Sequence, residues 1–109
     1  MIHVGPVATD DERLASLLGD VPDGTRFLLA TRSGVPVGCC GLAAAGHGVV
    51  RIDPLVAADG VTGVERALLA AAERLAARLG AHTVVLAEGR PGIEVAGYSP
   101  GPDGYAKGL

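Results

Sequence analysis

Two carboxylates are candidates for acid–base chemistry by residue type alone. Asp53 lies inside a strand-like run, Val49–Ala57 (VVRIDPLVA), and Glu88 follows another, His82–Ala87 (HTVVLA). A carboxylate can take a proton from a group held against it. The plainer account of Asp53 is an ion pair with Arg51 or a solvated strand position, and Glu88 is open to the same readings. Cys39 and Cys40 are adjacent in an apolar run with no visible partner base, so they read as small hydrophobes and not as nucleophiles. His3, His47 and His82 share no ligand spacing with each other or with the cysteines, which leaves no metal site. Ser99, in YSPG, suits a turn. The chain contains no Asn and no Gln. Amide chemistry, if needed, must come from the backbone.

The element that organises these residues runs from Gly60 to Ala81 (GVTGVERALLAAAERLAARLGA). Val64, Leu68, Ala71, Leu75 and Leu79 recur at spacings of three and four, which predicts a helix with one apolar face. Arg66, Glu73, Arg74 and Arg78 lie off that line and can stay in water. Thr62 and Glu65 have the spacing of a capping box, and Gly80 stands where a left-handed C-terminal cap belongs. With a strand-like run on either side, the unit is strand–helix–strand, and the helix N-terminus is the place to look for function.

The remaining elements follow in order. Ile2–Val7 reads as a strand. Thr9 and Glu12 suggest a first capping box for a short helix bearing Leu14, Leu17 and Leu18 and stopped by Gly19. Arg26–Thr31 and Val35–Ala44 form a hairpin across Arg32-Ser33-Gly34, and Gly46-His47-Gly48 turns the chain into Val49–Ala57. In that last strand Val50, Ile52 and Val56 alternate onto one face, and Pro54 requires an edge or a bulge. Ile93–Tyr98 and Tyr105–Leu109 suggest a closing hairpin. The order is β-α-β-β-β-α-β-(β-β), an α+β fold with a mixed, mostly antiparallel twisted sheet, a short helix over about 10–18 and a long one over about 62–79.

Composition narrows the function classes. The chain of 109 residues suits a single domain, 1–109, that buries roughly 65% of its unfolded surface. A formal net charge of -3 argues against a nucleic-acid surface, which needs clustered basic charge. The uncharged run VPVGCCGLAAAGHGVV is broken by Gly and Pro and falls short of a membrane span. Two neighbouring cysteines make no disulfide framework, which suits a cytoplasmic protein.

Several strings resemble the GNAT N-acetyltransferase superfamily over nearly the whole chain. ERALLAAAERLAARLGAHTVVL is similar to that family's cofactor-site helix and following strand. DPLVA resembles the bulged strand that pairs with a pantetheine arm. The hairpin with VPVGCCGL resembles that family's "G-x-x-V-G" second and third strands, and Ala96-Gly97-Tyr98 stands at the usual "LGF". The resemblance implies acetyl-CoA or another acyl-CoA as cofactor. Its pantetheine would lie on Leu55, Val56 and Ala57, and its pyrophosphate on Val61, Thr62, Gly63, Val64 and Glu65, where a helix N-terminus favours an anion. Asp53 or Glu88 would be the base toward a small-molecule or peptide amine.

Departures fall on the same positions. Gly60 replaces the usual basic or amide residue of the phosphate loop, and Glu65 the usual Gly or Ala. At an effective dielectric of ~20, a carboxylate ~4 Å from a phosphate charge costs about 4 kcal/mol. Ile93 stands where a tyrosine acid is usual, and Tyr98 takes the place of the Phe. The second N-terminal helix and the last helix are shortened, so an acceptor site would be shallow or completed by a second subunit in a homodimer. Three readings follow: an acyl-CoA-dependent N-acetyltransferase, a non-catalytic GNAT-like binding or interaction module, or an unrelated small α+β domain.

Overall fold

The computed structural model describes residues 1–21, 24–58, 60–87, 89, 93–102 and 104–109. The chain forms β1 (Ile2–Val7), α1 (Glu12–Leu18), β2 (Arg26–Arg32), β3 (Val35–Gly46), β4 (Val49–Ala57), α2 (Val64–Arg78), β5 (Thr83–Leu86), β6 (Ser99–Gly101) and β7 (Gly104–Gly108). One sheet holds all seven strands in the order β1-β2-β3-β4-β5-β7-β6. Neighbours run antiparallel except β4 and β5, which are parallel. Parallel neighbours need a crossover, and α2 supplies it.

Both faces of the central strands are covered, which is why they read as continuous apolar runs. On β2, Leu28 and Ala30 face α2, where they meet Val64, Leu68, Leu69, Ala72 and Ala76. Phe27 and Leu29 point the other way, onto Leu14 of α1. Cys39 and Cys40 split in the same manner, Cys39 under α1 and Cys40 under α2, and both thiols are free and fully buried. Successive strand residues point to opposite faces, so adjacency in sequence here separates the two sulfurs across the sheet.

Pro54 does produce an irregularity. Leu42 pairs with Ile52 but Cys40 with Leu55, so β4 fits an extra residue against β3 at this point. The extra residue inverts the alternation. Leu55, not Val56, shares the α2 face with Ile52, and Val56 packs with the α1 cluster. The expected Val50–Ile52–Val56 face is corrected accordingly.

The helix ends also differ from expectation. In α1 the cap is Asp11, whose carboxylate accepts from the Arg13 N–H; Thr9 plays no part in it. In α2 the cap is Gly63, left-handed at φ 82°, which supplies no side-chain hydrogen bond to the first turn. The Thr62–Glu65 capping box does not form. At the other end the Ala81 N–H donates to Ala76 O and the Gly80 N–H to Ala77 O, the Schellman pattern expected around Gly80. Leu79, placed by periodicity on the buried face, is 50% exposed, because the helix turns Leu69, Ala72 and Ala76 toward the sheet instead.

Residues 93–97 form turns, with the Ala96 and Tyr98 N–H groups donating to Ile93 O. The closing hairpin therefore pairs Ser99–Gly101, not Ile93–Tyr98, with β7. Ser99 is a strand residue.

Candidate functional site

The β4–β5 ladder ends at the Ile52–Leu86 pair, while β4 continues along β3 as far as Ala57. The strands part there, and α2 begins a few residues later. Along the start of α2 runs a groove of about 790 Å3. Its upper end is formed by Ala57, Ala58 and the residues from Gly60 to Glu65; its lower end is formed by Glu73, Ala96 and Lys107. A second cavity of about 360 Å3 lies in the wedge where β4 and β5 separate, lined by Arg51–Leu55 with Leu86 and Ala87.

The groove's upper end is built from backbone. Gly63 at φ 82°, ψ -2° precedes helical Val64. A left-handed residue followed by a right-handed one turns successive N–H groups toward one concavity that suits an anion. A non-glycine residue at that φ carries a cost of roughly 1–2 kcal/mol, so glycine is the residue that fits. An added Cβ would meet only Ile2 Cδ1 at 3.9 Å, so the constraint is backbone conformation and not space. The 15-residue α2 adds its positive dipole end to the same point. Gly63 caps the first turn without a side chain, and Val64 and Glu65 line the groove beside it. Glu65 and Arg66 both line it, placing opposite charges side by side at its mouth.

Gly38 sets the depth of this arrangement. A Cβ there would come within 2.6 Å of both Val56 O and Val64 Cγ1. The missing side chain lets the first turn of α2 settle onto β3, beside the end of β4.

At the lower end three residues far apart in sequence converge. The Tyr98 hydroxyl donates to Glu73 Oε2 at 2.8 Å, and Lys107 Nζ donates to Glu73 Oε1 and to Ala96 O, each at 2.8 Å. Lys107 also lies 5.7 Å from the centre of the Tyr98 ring. Burial and the Glu73 carboxylate push the Tyr98 hydroxyl well above the usual phenol range, so it stays protonated. Glu73, expected in water, is instead tied into this knot. Sequence reasoning missed it because nothing local marks a partner 34 residues away. The only hint was that Glu73 sits one step from the buried Ala72.

Of the residues expected to hold a coenzyme, Ala57, Val61, Thr62, Gly63, Val64 and Glu65 line the groove. Leu55 lines the wedge cavity instead, and Val56 packs toward α1. Asp53 is exposed and also lines the wedge; the ion pair with Arg51 does not form. Glu88 lies outside the described residues. Ile93 is buried core, 3% exposed, and offers no acid. Tyr105 stands opposite Leu86 on β7, packed against the α2-side core. Burial raises Cys39 to about 11 and Cys40 to about 12, which keeps both thiols protonated and unreactive at neutral pH. No group of side chains among the described residues could hold a metal ion.

No family model and no curated protein matches this chain. Solved structures do. It is similar to a Klebsiella pneumoniae protein assigned to the acyl-CoA N-acyltransferases (TM-score 0.78, 19% identity, 100% of this chain and 98% of that one). It is also similar to aminoglycoside 6'-acetyltransferase type Ii (TM-score 0.79, 17% identity, 97% and 96% covered). A third match is a GNAT family acetyltransferase from Elizabethkingia anophelis with acetyl-CoA bound (TM-score 0.64, 15% identity, 78% and 63% covered). The fold is that of the GNAT acyltransferases: α+β, with a mostly antiparallel sheet and a single parallel pair at the wedge. No helix among the described residues is long and apolar enough to cross a membrane.

Proposed function

We propose that this chain binds an acyl-CoA, with acetyl-CoA the simplest donor, and transfers the acyl group to an amine. The observation that carries the reading is the left-handed Gly63 start of α2 at the mouth of a groove of about 790 Å3. The pyrophosphate would rest on the N–H groups of the Gly63–Glu65 turn. The pantetheine arm would run along β4 past Ala57 toward the wedge, bringing the thioester to the cavity that Asp53 lines.

There the amine nitrogen attacks the thioester carbonyl. The C–N bond forms, the C–S bond breaks, and the thiol leaves as thiolate. Asp53, directly or through water, takes the proton lost by nitrogen. With Ile93 in place of an acid, water returns a proton to sulfur. Catalysis rests chiefly on holding donor and amine together.

Calorimetric titration with acetyl-CoA tests the donor site. Saturable binding that weakens at least tenfold in Gly63→Val is expected; no heat at millimolar ligand would overturn the proposal. The buried Ile93 favours a second reading, a GNAT-like module that binds without catalysis. Binding without transfer to any amine would select it.

A further inference from the structure

The wedge cavity carries a charge pattern that specifies more than an amine. Arg51 and Asp53 are the two charged residues among the described ones that line it. They alternate with buried Val50 and Ile52, so both face away from α2, toward the other side of the sheet. Two positions apart on one strand, their Cα atoms lie about 6.6 Å from each other. Both are exposed, and no ion pair joins them. A cation and an anion held at that separation on one wall match a ligand bearing the opposite charges in the opposite order.

Resting on the acyl-donor reading above, we propose that the acceptor is a small amine that also carries a carboxylate: a free α-amino acid or a close analogue. Its ammonium lies against Asp53, at the point where β4 leaves β5, and so nearest the incoming thioester. Its carboxylate lies against Arg51, whose planar guanidinium can bind both oxygens. The volume agrees. About 360 Å3 is at the lower end of the ~300–1,000 Å3 range for ligand pockets, room for an amino acid but little for a bulky polycation. Asp53 takes the proton that the amine loses, as described above; Arg51 is a specificity residue and takes no proton.

The test measures thiol release from acetyl-CoA by the full chain with alanine, serine and glutamate, with the α-amides of the same three, and with spermidine. The free acids are expected to exceed amides and spermidine at least tenfold in kcat/KM. Arg51→Gln should bring acids and amides to within about twofold, through KM for the acids, and leave acetyl-CoA affinity unchanged. Arg51→Glu should reverse the order in favour of spermidine. Amides or spermidine equal to the acids in the wild type, or an Arg51→Gln variant with the preference intact, would overturn the inference. Acetyl-CoA binding with no transfer to any of these amines would overturn it too, leaving the donor site standing. Failure to bind acetyl-CoA would remove the donor site and this inference together.

Discussion

At the scale of single residues, the Glu73 carboxylate links three elements: α2, the turn before β6, and β7. Both its oxygens accept bonds from half-buried or buried donors, so removing it strands the Tyr98 hydroxyl and leaves the Lys107 ammonium with Ala96 O but no counter-charge. Glu73→Ala should lower unfolding free energy by about 1–3 kcal/mol. Arg74→Ala, next to it but exposed, should stay within about 0.5 kcal/mol. Urea denaturation compares the two directly. Alkaline pH probes the same interior. Cys39, Cys40 and Tyr98 all have folded-state values raised above their ordinary ones. The unfolded chain gives up these protons from about pH 8.5 for Cys and about pH 10 for Tyr, while the folded chain keeps them. The unfolded state then binds fewer protons, so stability is fully present below about pH 8.5 and falls as pH rises toward 11–12. The urea midpoint should be lower at pH 10.5 than at pH 7.5; equal midpoints would contradict the burial of these groups. At the groove mouth, Glu65→Gln should tighten acetyl-CoA binding several-fold by removing a negative charge near the phosphates, and Arg66→Gln should weaken it, both effects shrinking in high salt.

At the scale of elements, the glycines of the β3 region decide how α2 sits. Gly38→Ala places a methyl group against Val56 O and Val64 Cγ1, and should cost about 1–3 kcal/mol by overpacking. Because the displaced atoms belong to β4 and to the first turn of α2, acetyl-CoA affinity should fall with stability. Thermal melting and titration of one variant check both. Element boundaries were legible wherever periodicity was strong: β1 and β4 match the sequence reading residue for residue, and α2 differs by two residues at its start and one at its end. What the sequence did not show is how each end is satisfied. The Thr62–Glu65 spacing is right for a capping box, but Gly63 between them takes a left-handed conformation that replaces it. Likewise, strict alternation in β4 placed Val56 wrongly because one bulged residue at Pro54 shifts every residue after it by one face.

For the whole molecule, the order of elements made the fold readable, since a parallel pair spanned by α2 and flanked by antiparallel hairpins leaves few arrangements. The site was legible in part. The loop at Val61–Glu65, marked in the sequence by its place before the long helix, lines the groove, whereas the Glu73–Tyr98–Lys107 knot depends on pairings that only tertiary structure creates. Another cavity, of about 350 Å3, lies at the C-terminal pole of α2 beside Leu79 and Gly80, where the helix dipole is negative and disfavours a phosphate. Amide hydrogen exchange with and without saturating acetyl-CoA therefore tests the central claim most directly. The account requires new protection at Ala57 and at the amides from Gly63 to Glu65, and no change from Leu79 to Ala81. Protection confined to the opposite pole, or none anywhere, would contradict it.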